Sequence, residues 1–387
     1  MNKIRYFLLF VIMMGCRQSY LPPISATNHT FLVIEGYIDA GTDSTQIRLT
    51  RTISFGDTSA IATELNALVT IEGDGGYVGQ VLEKGNGYYE SSPLALPINQ
   101  QYRLKIQTSD NDIFASEYSS IVTPPAIDSI SVSVAPDGAT LYVNTQDTSS
   151  APRYYRWDFL ETWEYRSSTK VGTVSVLIYA NGQMRTRLPP EQIYRCWQTT
   201  KSTNIIINSS EKLSHDIIYK QPLLFIPISS TKIGFAYSML VSQYGLDRNA
   251  FLYWDNLSRN TENLGSVFDA QPSLVTGNIH CITHPETLVL GYISVTSASK
   301  KRIVFQRADL RYPETPLPTP DCEKAVSVSK DQFYNFFSTD QPLYYIPLYY
   351  SGWPVLPVDT NIVIGTLPIC SDCRFYNGTN IKPGYMP

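Results

Sequence analysis

Side chains suited to catalysis are scarce in this chain, which has 4 histidines in 387 residues. It contains no Gly-x-Ser-x-Gly, no His-Glu-x-x-His and no phosphate-cradling Gly-rich loop with its lysine. Those absences remove the nucleophile elbow, the helical zinc-protease pair and the P-loop. Charge is thin as well, at 17% Asp, Glu, Lys and Arg with a net of -4. The Lys and Arg residues are scattered rather than clustered, so the electrostatic footprint that a phosphate backbone demands is missing and no nucleic-acid partner is expected. No apolar run reaches the ~20 residues of a membrane-spanning helix.

What is present points to sheets. Tyr occurs 27 times and Pro 25 times, a composition that suits exported β-rich folds better than long helices. The 43% hydrophobic content supplies cores for two or three domains.

The first residues set an address. Lys3 and Arg5 precede a short apolar run from Tyr6 to Met14, which meets Gly15 and Cys16. A charged start, an apolar run and a small residue before cysteine read as a lipoprotein signal peptide over residues 1–15. The thiol of Cys16 would then carry the lipid, residues 16–27 would form a tether, and several acyl chains at one terminus would anchor the protein stably to a membrane.

Residues 28–123 contain "FLVIEGYID", "TQIRLTRTISF", "ALVTIEGDGGYVGQVLEKGNGYYES" and "QYRLKIQTSDNDIFASEYSSI", a series of short strands separated by turn residues. This predicts an N-terminal immunoglobulin-like or prealbumin-like β-sandwich. Thr123-Pro124-Pro125 interrupts it, because consecutive prolines cannot donate to a ladder. A second β-rich domain is predicted over residues 126–312. In "RYYRWDFLETWEYRS", Tyr155, Trp157, Phe159, Trp163 and Tyr165 alternate with polar residues, as in a strand with one buried side. Glu161 falls on the apolar face, where a bulge or a strand end is expected to re-aim it. One helix is predicted at about 247–263, with Asp247 as N-cap and Ala250, Trp254 and Leu257 facing a sheet.

Residues 313–387 form a Pro- and aromatic-rich C-terminal tail, predicted to be irregular and packed on the second domain. "PETPLPTP" opens it, and Phe333 to Trp353 then hold nine aromatic residues and one charge, Asp340. Such a stretch must pack on its own domain or on a partner. Tyr344, Tyr345, Tyr349, Tyr350 and Trp353 are the candidate docking residues.

"CSDCRFYNGTNIKP" places Cys370 and Cys373 in a Cys-x-x-Cys. A redox dithiol needs a following helix to lower its thiol pKa, and Gly and Pro follow instead. A zinc site needs about four ligands. The other cluster, His280, Cys281 and His284 in "HCITH", would point alternate residues apart in an extended segment. A structural staple is therefore expected, as thiols in an oxidising envelope pair with each other. Asp269 and His280 are a formal acid/base pair, although Asp269 is expected to cap a turn before Pro272. No catalytic residue, metal ligand or cofactor is assigned.

The ordered blocks "YSMLVSQYGLDRNAFLYWDNLSRNTENLGSVFDAQPSLVTGNIH", "VLGYISV", "KRIVF" and "CSDCRFYNGTNIKP" carry a resemblance. With the Gly15-Cys16 start and "FLVIEGYI", the chain resembles a Bacteroidota outer-membrane lipoprotein family catalogued as domain of unknown function 4249. The resemblance implies an outer-membrane address, a TonB-dependent receptor as neighbour, and no chemistry. It also implies cysteines at Cys196, Cys322, Cys370 and Cys373, with Cys281 as an extra. Two bridges among those four follow, and a bridge within the Cys-x-x-Cys stays open. Arg17-Gln18-Ser19-Tyr20 lacks the acids that surface-exported lipoproteins of Bacteroidota carry after the lipidated cysteine, so the membrane face stays undecided. The expected protein is mainly β, with two tandem sandwiches, one short helix insertion and a disulfide-stapled tail. Its expected role is that of a non-enzymatic accessory to a TonB-dependent transporter. A glycan-binding or adhesive module is the rival reading, and a hydrolase built on Asp269 and Glu161 the third.

Overall fold

A computed structural model describes residues 30–53, 62–147, 154–167, 177–213, 215–261, 275–312, 326–339, 345–348 and 362–387. Period-two alternation sets the strands of the first unit. Leu32 and Ile34, Ile47 and Leu49, Val69 and Ile71, and Tyr102, Leu104 and Ile106 all bury on one side, and their intervening neighbours face outward. These strands belong to one 11-stranded sheet whose two ends come from a single late segment. Ile279–Cys281 pairs antiparallel with Ile113–Ser116 at one end, and Val289–Leu290 pairs parallel with Leu32–Gly36 at the other. The sheet is thereby curled nearly into a barrel, and Ile279, Cys281, Val289, Ile293 and Val295 complete its core.

That segment falls within residues 126–312, the stretch which the sequence pattern alone assigns to a second domain. Alternation reports that one face of a strand is buried, and carries no information on which sheet buries it. Two glycines permit the closure. Gly291 has φ +131°, and a Cβ there would overlap the carbonyl oxygen of Ile34. A Cβ on Gly277 would overlap the carbonyl of Gly291 itself.

The second unit is two sheets facing one core. Ile127–Ala135, Gly138–Asp147 and Asp216–Pro227 form the smaller, three-stranded sheet. The larger, five-stranded sheet is centred on Tyr154–Arg166, which pairs with Ala236–Leu246 on one side and with Ile206–Ser209 and Arg195–Lys201 on the other. Ala298–Gln306 adds the outer strand beside Ala236–Leu246. Tyr155, Trp157, Phe159, Trp163 and Tyr165 all enter the shared core with Leu141, Val143, Ile218 and Ile226 of the facing sheet. The expected bulge at Glu161 is not there. The ladder to Ala236–Leu246 is continuous from Tyr154 to Trp163, with Glu161 opposite Met239.

The other face of Tyr154–Arg166 is covered rather than solvated, since Asp158, Thr162 and Glu164 are buried too. Helix Arg248–Thr261 covers its start. The carboxylate of Asp247 accepts from the Ala250 amide at 2.7 Å, which is the predicted cap. Phe251 stacks at 5.0 Å on Tyr154, and Tyr253 lies 5.2 Å from Tyr292 of the closure segment. The two units also meet through an edge contact of Tyr37 with Tyr244 at 4.8 Å and an Asp43–Lys300 ion pair at 2.8 Å.

The C-terminal part is more regular than predicted. Val326–Ser329, Ile346–Leu348 and Ile362–Thr366 form a three-stranded sheet, and a short helix spans Phe333–Phe337. Its small core joins Val328, Phe333 and Phe337 to Leu177 of the hairpin Leu177–Ala180 and Gln183–Thr186. Proline density suggested irregularity, but Pro347 occupies an outer strand of that sheet, a position where a missing donor is tolerated.

Replacing Gly291 by Ala forces a left-handed backbone onto a residue with a Cβ and drives that Cβ into the strand Leu32–Gly36. We expect a loss on the order of 3 kcal/mol, read as a lower urea midpoint at unchanged slope. An unchanged midpoint would show that the parallel closure does not contribute to stability.

Candidate functional site

The densest convergence of sequence-predicted residues lies where the last residues cross the large sheet. Cys196, on the edge strand Arg195–Lys201, forms a disulfide with Cys373, 177 positions later, with a Cα–Cα distance of 5.7 Å. Cys370 is disulfide-bonded as well. Cys322, the fourth expected partner, and Cys16 lie outside the described residues. Because Cys373 is bonded to Cys196, the Cys-x-x-Cys does not close on itself. Cys281 is free, buried in the first core, with its sulfur 3.3 Å from the Thr283 hydroxyl.

Local chemistry explains how the staple is held. Cys370 sits on the helical turn Pro368–Ser371, and Cys373 opens the 3-10 turn Cys373–Tyr376, whose N-cap Asp372 accepts from the Arg374 amide at 3.0 Å. The Cys373 amide donates to the Ile193 carbonyl at 2.7 Å, and the Tyr165 hydroxyl donates to the Cys373 carbonyl at 2.5 Å. Beyond the turn, Thr379 and Trp197 exchange two backbone hydrogen bonds of 2.8 and 2.9 Å. Tyr385 then stacks under Arg302 at 3.8 Å and brings its hydroxyl 3.0 Å from that of Thr162. Met386 packs on Trp197 and Ala236. Residues 373–387 thus act as a strap over the large sheet.

Among the described residues, the buried carboxylates Glu161, Glu164 and Asp216 of the second unit are held by internal partners. Glu161 takes the Lys232 ammonium at 2.7 Å on one oxygen and the Tyr237 hydroxyl at 2.7 Å on the other. Burial, and then the charge of Glu161, hold the Tyr237 phenol well above its usual range. Glu164 lies between Arg166 at 2.7 Å and Arg195 at 2.6 Å. Asp216 accepts from Tyr155 at 2.6 Å and also from Ser210, and burial followed by that bond raises the Tyr155 phenol. Asp269, the other member of the proposed hydrolytic pairs, lies outside the described residues. His280 faces Glu117 at 3.5 Å, and His284 faces Asp112 at 3.4 Å, both well exposed on the closing seam.

Of the candidate docking residues, Tyr345 is half-buried with its ring 5.6 Å from Phe336. Tyr344, Tyr349, Tyr350 and Trp353 lie outside the described residues. Sequence reasoning missed Asp39, which is fully buried where the units meet. One of its oxygens accepts from the Gly41 amide at 2.7 Å, and burial raises its pKa. A short Asp-Ala-Gly turn gives no hint of that burial.

The family described as Domain of unknown function (DUF4249) matches residues 17–302. The chain belongs to the DUF4249 family. No curated protein matches it. The DUF4249 match takes in the curled sheet, its closing segment and most of the second unit. It ends inside the strand Ala298–Gln306, before the strap with Cys370 and Cys373. Cys196 therefore lies inside the DUF4249 match while its bonded partner lies beyond it.

Non-reducing peptide mapping should recover a Cys196–Cys373 linked peptide and an unmodified Cys281. Cys373→Ser should cost roughly 2 to 5 kcal/mol. Full stability in that variant would mean the strap is held by its hydrogen bonds alone. Glu161→Ala leaves the Lys232 ammonium and the Tyr237 hydroxyl without their acceptor, and should cost about 3 kcal/mol in the same urea titration. A silent Glu161→Ala would show that water replaces the carboxylate.

Proposed function

We propose that this DUF4249 protein is a non-enzymatic, lipid-anchored accessory of the outer membrane that docks on a TonB-dependent transporter. The observation that carries the reading is the fate of three buried acids of the second unit. Glu161, Glu164 and Asp216 each have both oxygens engaged by partners within the fold, an arrangement that suits structural anions better than a general base. The envelope address rests on Lys3, Arg5, Gly15 and Cys16, and it agrees with a disulfide-bonded chain, since such bonds persist in oxidising compartments. We read the two β units as immunoglobulin-like or prealbumin-like sandwiches. Two sheets around one core favour that for the second unit, while the curled first sheet departs further from it.

Docking is assigned to the aromatic tail, through Tyr344, Tyr345, Tyr349, Tyr350 and Trp353, because Tyr and Trp bury large area at little entropic cost. Metabolic labelling with a fatty-acid probe should mark the wild type and miss Cys16→Ala. Co-purification in mild detergent should then recover a TonB-dependent receptor. Replacing Tyr349, Tyr350 and Trp353 together by Ala should abolish that recovery while the melting temperature holds. A melting temperature lowered by several degrees would make these rings structural and remove the docking assignment.

A further inference from the structure

The outer face of the three-stranded sheet presents aromatic rings to solvent. Tyr219 is 73% exposed and Phe225 is 48% exposed, both on the edge strand Asp216–Pro227. The Phe225 ring lies beside Gly138, where an added Cβ would strike its outer carbons, and about half of the side chain stays open to solvent. Tyr142, cross-strand from Pro222, is half-buried between them. Single exposed apolar residues are ordinary, whereas several on one flat face mark a contact surface.

The remaining chemistry of that face narrows the occupant. Ser131 and Ser133 stand opposite Tyr142 and Thr140, and Asn144 is pinned by donating to Ser129 at 3.0 Å and to Ser131 at 3.4 Å while accepting from the Lys220 amide at 2.8 Å. Ser129 and Ser131 thus accept from Asn144, and each hydroxyl can still donate a hydrogen bond of its own. Lys220 is the charged residue of the edge strand beside these groups, and its ammonium lies 5.6 Å over the Tyr219 ring. With this ammonium as the one charge among these groups, the face offers nothing to a cationic partner and little to an anionic one. Strand addition is also blocked, because the edge is broken by two register shifts, by Pro222 and Pro227, and by the left-handed Lys220 at φ 50°.

We propose that this face is a stacking platform for a neutral oligosaccharide, with Tyr219 and Phe225 as its rings. Sugar C–H faces pack on open aromatic rings, and sugar hydroxyls exchange hydrogen bonds with serine, threonine and amide groups. The facing strand covers the stretch from Phe225 to Tyr219 in about four residues, Thr140 to Asn144, or roughly 13 Å, enough for two or three sugar units. The inference is independent of the receptor reading, since it invokes none of the residues of the aromatic tail.

The test is affinity electrophoresis of the detergent-solubilised full chain in native gels. The gels contain mixed-linkage β-glucan, arabinoxylan, amylopectin or mannan, with polygalacturonate as the anionic control. At least one neutral polysaccharide should retard the protein and polygalacturonate should not. Tyr219→Ala with Phe225→Ala should weaken that retardation by about tenfold or more at an unchanged melting temperature. Phe225→Trp should preserve it, which separates a role for the ring from a role in folding. Retardation by no neutral polysaccharide, equal retardation of the double variant, or equal retardation by polygalacturonate would each overturn the proposal. So would a self-association that the double variant abolishes in the absence of any polysaccharide effect. Removing Tyr349, Tyr350 and Trp353 should leave retardation intact.

Discussion

Strand Leu32–Gly36 needs a neighbour on its outer edge, and the chain supplies it from the far side of the second unit as the parallel strand Val289–Leu290. The same segment, eight residues earlier, caps the opposite end of the sheet at Ile113–Ser116. Without it two edges would be exposed, each a row of unpaired backbone groups, and the core would lack Ile279, Cys281, Val289, Ile293 and Val295. Closing a sheet in this way needs a long crossover, because parallel strands cannot be joined by a tight turn. Here the crossover runs through the rest of the first unit and most of the second. The first core is therefore completed only after the chain has traversed most of the second, and the units are interlocked rather than strung in tandem. Non-local pairing of this kind raises contact order and slows folding.

A second constraint follows from the central strand Tyr154–Arg166. It is buried on both faces along most of its length, yet its sequence alternates polar residues with aromatic ones. Each polar residue under cover must then find a partner, and the arginines supply several. Arg156 meets Asp158 at 3.0 Å and stacks over Trp254 at 4.0 Å, while Arg166 and Arg195 bracket Glu164. Replacing a whole buried ion pair by apolar residues is often tolerated, but removing one member leaves a charge under cover. The strap and the helix Arg248–Thr261 thus create the requirement that these ion pairs meet.

Much of this architecture was legible in the sequence because it depends on short-range pattern. The aromatic face of Tyr155 to Tyr165 follows from period two, and the start of the helix follows from Asp247 ahead of Ala250. What could not be read depends on distance along the chain. The strand "IHC" is too short to carry a period, and only its pairing with Ile113–Ser116 gives Cys281 its burial. Glu161 looked misplaced on an apolar face because its partners, Lys232 and Tyr237, arrive about 70 positions later. The strand "DIIYKQPLLFIP" carries two prolines, and Tyr219 and Phe225 gained meaning only once it was seen as the edge of a sheet.

Closure segment and strap solve one problem in the same manner, since each is a late stretch that finishes a sheet begun much earlier. They differ in how they are secured. The closure segment is held on both flanks by ladders and by a core, so it needs no covalent help, and its cysteine stays free. The strap meets the large sheet through one isolated bridge at Thr379 and a few side chains. Such a contact is too small to offset the entropy of fixing a chain end at roughly 1 to 2 kcal/mol per residue. The Cys196–Cys373 bond closes a loop 177 positions long, worth about 5 kcal/mol in chain-entropy terms. That adds to what the bridge at Thr379 and the packed side chains contribute, and it suits a disulfide to this weakly laddered end rather than to the closure segment. Under reducing conditions the strap would then be the first part to leave, uncovering Trp197, Ala236 and the Glu164 ion pairs while both cores persist.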